Sequence, residues 1–157
     1  MTQPDRPATR PDPMRFGAAI PPGLSVNLLV RDVAAAARFQ AEALGAEAVW
    51  IEEHFAVMRA VGATWLLHSD WSYRGHEMRG AVAGVAARGA GVELRLYGLD
   101  PDAAEARARA LGAIVLAAAA DKPHGLREAH IVDDDGYVWV PCAPSAEGRA
   151  ALARGAG

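Results

Sequence analysis

The feature that most restricts this sequence is an internal repeat. Ser25 and Asp32 match Glu93 and Asp100 at a spacing of 68, and Leu44-Gly45-Ala46 matches Leu111-Gly112-Ala113 at 67. One deleted residue accounts for the difference. A repeated pattern of strand and helix signals buries its apolar faces the same way twice, so the chain must form two like modules.

Each module opens in the same way. In LSVNLLV, Leu24, Val26, Leu28 and Val30 share one face, opposite Ser25, Asn27 and Leu29. That period of two is a strand with one apolar side. Asp32 then stands at an N-cap, VAAAARFQAEAL follows, and Gly45 stops a helix of about 11 residues. In the second half, Val92, Leu94 and Leu96 oppose Glu93, Arg95 and Tyr97. Asp100 caps a helix whose first residue, Pro101, has no amide donor to leave unpaired. Three strand-like pieces follow each helix: EAVWIEE, HFAVMRAV and ATWLLHS, then AIVLAAA, REAHIVD and YVWVPC. The pattern predicts an α+β fold of two tandem βαβββ modules, spanning 23–79 and 90–144, within one domain at 23–144.

The flanks read differently. Residues 1–22 hold six of the ten prolines. Proline fixes φ and lacks a donor, so this segment is expected to be a disordered or loosely docked arm that joins neither helix nor sheet. Residues 145–157 are expected to be a C-terminal tail. GAVAGVAARGAG, with four glycines, is expected to be a flexible link. It lacks the GxGxxG spacing of a dinucleotide cradle, and no GxSxG elbow occurs anywhere. Cys142 is alone, so neither an internal disulfide nor a cysteine zinc site can form. A net charge of −3 with interspersed signs gives no basic footprint for nucleic acid. No apolar run is long enough to span a bilayer, and no signal peptide is apparent. The expected location is the cytoplasm.

SVNLLVRDVAAAARFQAEALGAE resembles the opening βα unit of the glyoxalase/bleomycin-resistance/dioxygenase superfamily, the vicinal oxygen chelate proteins. VELRLYGLDPDAAEARARALGA resembles the start of that family's second module. HGLREAHIVDDDGYVWVP resembles its closing strand-turn-strand, with Asp133-Asp134-Asp135-Gly136 where a D-P-D-G turn is usual. The likeness covers roughly 24–144. It implies two curved sheets forming a cleft within one chain or between two, with helices on the outer faces, ligand on the inner faces, and commonly a dimer.

The resemblance also implies where a metal would sit: on the first and fourth strands of each module. Those positions carry Ser25, Leu66, Glu93 and Val140, and only Glu93 binds a divalent ion well. A catalytic metal needs about three protein ligands, so no metal and no other cofactor is expected. A displaced site, with a divalent cation near His68 and Glu93 and His124 or His130 as a further ligand, is the alternative; it would make the chain a metal-dependent lyase, isomerase or dioxygenase.

Without metal, alternation places Ser25, Asn27, Thr64, Leu66, His68, Glu93, Arg95 and Val140 on the cleft wall. That mixture suits a partly polar organic ligand. Glu93 and Arg95, two apart on one strand, can serve a ligand or pair with each other. Trp65 alternates to the helix side and is expected in the core. Trp71, in the aromatic loop HSDWSYRGHEMRG, is a candidate ligand or dimer contact. Arg127 is a candidate cleft or interface residue, with an inter-strand ion pair as the competing role. The sequence thus predicts a small-molecule binding protein resembling the bleomycin-resistance branch, working as a homodimer.

Overall fold

The computed structural model describes residues 12–155. Module one runs β1 (Val26–Val30), α2 (Val33–Leu44), β2 (Glu47–Glu52), β3 (Phe55–Ala60) and β4 (Ala63–Ser69). Module two repeats it as β5 (Glu93–Tyr97), α4 (Pro101–Ala110), β6 (Ile114–Asp121), β7 (Leu126–Val132) and β8 (Val138–Pro144). Three further helices flank them: α1 (Pro13–Ala18), α3 (Glu77–Val82) and α5 (Ala146–Gly155). The sheets are ordered β1-β4-β3-β2 and β5-β8-β7-β6, each with a parallel first pair and antiparallel remainder. This is the tandem βαβββ arrangement expected of the repeat.

The helices begin and end where their caps dictate. The Asp32 carboxylate accepts the Ala35 amide at 2.9 Å, and Asp100 accepts those of Asp102 and Ala103 at 3.0 and 3.2 Å. Each satisfies donors that the first helical turn leaves unpaired. Gly45 closes α2 in the left-handed region at φ 67°, which a residue without Cβ enters at no steric cost.

One core serves both modules. Leu28, Val30, Met58, Trp65 and Leu67 from the first meet Leu96, Ile131 and Trp139 from the second. The helices α2 and α4 pack on each other. Their buried residues include Ala37, Ala43, Ala104 and Ala108, whose small side chains let the helix backbones approach closely. Arg107 of α4 donates to the Ala43 carbonyl at 3.0 Å, placing a cation at the negative end of α2. The Trp65 and Trp139 rings lie 5.4 Å apart in this core, and Trp65 Nε1 donates to the buried Gln40 Oε1 at 2.8 Å. Trp65 therefore occupies the helix side, as its alternation predicts.

The flanks depart from expectation in three places. The arm is not free of helix: Asp12 caps α1 by accepting the Met14 amide, and Pro13 enters at the first turn, where a missing donor costs nothing. Residues 1–11 of that arm lie outside the described residues. The supposed tail carries α5. The link at 80–91 is not a loose tether either. It contains the end of α3, then docks on the β7–β8 turn through Arg88 N to Asp135 O (3.0 Å) and Gly89 N to Gly136 O (3.3 Å). Two glycines allow the close approach, one on each side: a Cβ on Gly89 would sit 2.8 Å from the Tyr137 Cα, and one on Gly136 would sit 2.5 Å from the Ala87 Cα. Strand β1 also starts later than expected, and Leu24, assigned to its apolar face, is 98% exposed.

Candidate functional site

Helices α2 and α4 each pack on one face of their own sheet, and the short α1 reaches the opposite face of sheet one through Phe16. On sheet one, register places Asn27 and Leu29 of β1 beside Leu66 and His68 of β4. Phe55 and Val57 of β3 lie across from His68 and Leu66, and Trp50 of β2 lies across from Val57. All share the parity opposite to Trp65, Leu67, Ala56 and Met58, which enter the core.

The result is a wall of rings. Phe55 meets His68 edge-on at 4.9 Å, and Trp50 meets Phe55 at 4.9 Å. Tyr73, from the loop after β4, meets His68 at 5.3 Å and His76 at 4.9 Å. From the opposite side α1 brings Phe16 edge-on to Trp50 at 5.4 Å and to Phe55 at 6.4 Å. One polar thread crosses this surface. Asn27 Nδ2 donates to the Tyr73 hydroxyl at 2.6 Å, and Asn27 Oδ1 lies 2.7 Å from His68 Nδ1. Burial lowers the His68 pKa below its ordinary value, which favours the neutral ring. Next to the wall, a pocket of about 460 Å3 opens between Phe16, the segment Ile20–Leu24, Ser25, Thr64 and Leu66.

The corresponding face of sheet two is ionic. Arg95 hydrogen-bonds Glu93 at 2.9 Å and Tyr97 at 3.1 Å, and also grips Glu128. His124 reaches Glu128 at 2.8 Å, and His130 lies 3.3 Å from Glu93. Burial works against the Arg95 charge, yet the hydrogen bonds it donates to Glu93, Tyr97 and Glu128 raise its pKa above the ordinary arginine range. Burial likewise raises Glu128, but His124 and Arg95 outweigh it and hold the carboxyl below its usual range. Val140 is fully buried and pairs in register with Arg95.

The residues singled out from sequence therefore divide. Asn27, Leu66 and His68 come together on sheet one, with Ser25 exposed at the pocket edge. Glu93, Arg95 and Val140 come together on sheet two. No described contact joins His68 to Glu93. Of the two roles read for Arg127, the structure has the inter-strand ion pair and not the cleft contact: it meets Asp121 across β6–β7 at 3.0 Å and clamps Asp102 of α4 at 2.7 Å through two nitrogens. Strand parity is the reason, because its neighbour Glu128 takes the helix-free face. Trp71 stacks on His54 at 4.3 Å and lies under the Arg74 guanidinium at 3.7 Å, and no described contact links it to the Asn27–His68 group. Trp50, Phe55, Tyr73, Phe16 and Glu128 complete these faces without having been singled out as ligand residues, and His130, weighed as a ligand of a displaced metal, joins them beside Glu93.

The donor set does not fit a metal at the expected position. Ser25, Leu66 and Val140 offer no strong ligand, and the one carboxylate, Glu93, is held by a guanidinium and an imidazole. Among the described residues no group of three or more His, Cys, Asp or Glu is arranged to hold an ion.

A second cavity, of about 850 Å3, lies between α5 and the β6–β7 turn, lined by Lys122, Pro123, Leu126, Ala151 and Leu152 among others. It is the larger, but α5 buries no residue, and no ring cluster or buried polar thread lines it.

Solved structures share this architecture. A glyoxalase/bleomycin resistance protein/dioxygenase from Nocardioides matches with a TM-score of 0.60 at 21% identity, over 85% of this chain and 92% of that one. A family enzyme of the same description from Burkholderia phytofirmans matches at 0.62 and 17% identity, over 77% and 97%. The chain has the glyoxalase/bleomycin-resistance/dioxygenase fold. The fosfomycin resistance protein FosX from Listeria monocytogenes carries the same fold, with a TM-score of 0.59 at 16% identity over 83% of this chain and 98% of that one. No family model matches the sequence, and no curated protein matches it. No helix among the described residues is long and apolar enough to cross a membrane.

Proposed function

We propose that this glyoxalase-fold chain is a metal-free small-molecule binding protein, resembling the bleomycin-resistance branch, that holds an aromatic organic ligand on the face of module one opposite α2. The observation that carries this is the ring wall of Trp50, Phe55, His68 and Tyr73, roofed by Phe16 and crossed by a single polar thread. Pockets for organic ligands are mostly apolar with a few oriented polar groups. The position where the resemblance puts a metal supports the same reading, since three of its four residues, Ser25, Leu66 and Val140, are poor donors. The ionic face of module two is the natural second wall, supplied within the chain or by a second copy in a homodimer. The proposed setting is the cytoplasm, in keeping with a lone buried thiol, Cys142.

Elemental analysis of purified protein, with a tryptophan-fluorescence screen of aromatic and cationic compounds, tests this. The expected result is no stoichiometric metal and saturable quenching lost in Trp50→Phe. Stoichiometric Zn, Ni, Mn or Fe that disappears in His68→Ala would replace the proposal with a metal-dependent lyase, isomerase or dioxygenase. No response to any compound would end the binding reading.

A further inference from the structure

As oriented here, the Asn27 amide assigns the His68 ring one neutral form. Its nitrogen can only donate and its oxygen can only accept. In this structure the nitrogen lies on the Tyr73 hydroxyl at 2.6 Å and the oxygen faces His68 Nδ1 at 2.7 Å. An acceptor at that distance requires a proton on Nδ1. A neutral imidazole carries one proton, so Nε2 is left as a bare acceptor. Burial lowers the His68 pKa and so favours the neutral ring, in agreement. No described residue donates to Nε2. The ring itself stands between Phe55 and Tyr73, both edge-on.

Building on the proposed binding site, we infer that His68 Nε2 is a fixed hydrogen-bond acceptor, and that the ligand class is aromatic compounds carrying an N–H or O–H donor. Asn27 and Tyr73 are positioning residues: they touch the ring of His68 or its partner and set which nitrogen accepts. An aromatic ligand without a donor would leave Nε2 desolvated and unpaired, which is how a polar group in an apolar pocket discriminates between near-isosteres. The Tyr73 hydroxyl, having accepted from Asn27, keeps its own proton for an acceptor elsewhere on the ligand.

The test has two arms, both on the full-length protein. Long-range 1H–15N correlation spectra of His68 report the tautomer without any ligand. The expected signature is a protonated Nδ1 and an unprotonated Nε2 in the wild type, with loss of that preference in Asn27→Leu and mixed tautomers in Tyr73→Phe, where the amide is free to turn. A protonated Nε2 in the wild type overturns the inference. The second arm titrates indole, which donates, and benzofuran, which has the same shape and no donor. Indole is expected to bind roughly fivefold or more tightly, the worth of one net hydrogen bond. His68→Phe is expected to retain both rings and lose the preference. Equal binding of the two probes by the wild type overturns the ligand class while leaving the aromatic site standing. Binding of neither probe overturns the site and the ligand class together, and the tautomer spectrum still decides the state of His68.

Discussion

Arg88 grips Asp70 through two parallel hydrogen bonds of 2.6 and 2.8 Å, joining the inter-module segment to the end of sheet one. The same guanidinium donates to the Leu29 carbonyl at 3.2 Å and lies 3.7 Å from Asp135, and its side chain is only 4% exposed. Removing one partner of a buried pair strands the other charge, which costs more than the pair itself contributes. Arg88→Met is therefore expected to destabilise the fold by about 2–4 kcal/mol, and Asp70→Asn by less, because Asp70 is partly solvated. Equilibrium urea unfolding of both variants measures the order.

The same pair predicts a pH signature. The Arg88 guanidinium hydrogen-bonds the Asp70 carboxylate and holds its pKa below the ordinary 3.8, with burial opposing. A carboxyl whose folded pKa is depressed contributes stability that is present above the unfolded value and lost as pH falls through the folded one. The stability gap between wild type and Asp70→Asn is expected to be steady from neutrality to about pH 5 and to close below 3.8. Unfolding curves across that range check it; a gap that persists at the acid end contradicts the assignment.

Trp65 and Gln40 form a polar contact inside an apolar core. Replacing either alone leaves a buried group of the other unpaired. Trp65→Phe and Gln40→Leu are each expected to cost about 1–3 kcal/mol. The double variant is expected to cost less than their sum by about 1 kcal/mol, since neither polar atom is then stranded. A double-mutant cycle in denaturant reads this directly.

Phe16 roofs the ring wall from a helix that buries no residue of its own. Phe16→Ala is therefore expected to change folding stability by under about 1 kcal/mol while weakening an aromatic ligand several-fold. Thermal melts and fluorescence titration separate the two effects. A large loss of stability with unchanged affinity would make α1 a structural strap instead.

Much of the fold was legible because local and global signals agreed. Asp32, Asp100 and Gly45 mark helix ends by chemistry that needs no tertiary context, and the Ser25–Glu93 spacing exposes the repeat. The site was only half legible. Asn27 and His68 were readable because each sits in a cleanly alternating strand. Trp50 was hidden by the bulge between Ala48 and Trp50, which breaks the parity of β2. Phe55 follows directly on the β2–β3 turn, where pairing rather than composition sets the register. Tyr73 and Phe16 lie outside any periodic segment, so only the folded chain brings them to the wall. Arg127 shows the opposite error, since one residue of offset separates the α4 side from the Glu128 side.

The most direct check is to map a hit from the ligand screen by chemical-shift perturbation on 15N- and aromatic-13C-labelled protein. The account predicts that the largest changes fall on Phe16, Trp50, Phe55, His68 and Tyr73. Perturbations confined to the α5 cavity around Pro123 and Leu152, or to the Arg95–Glu128 face alone, would contradict it.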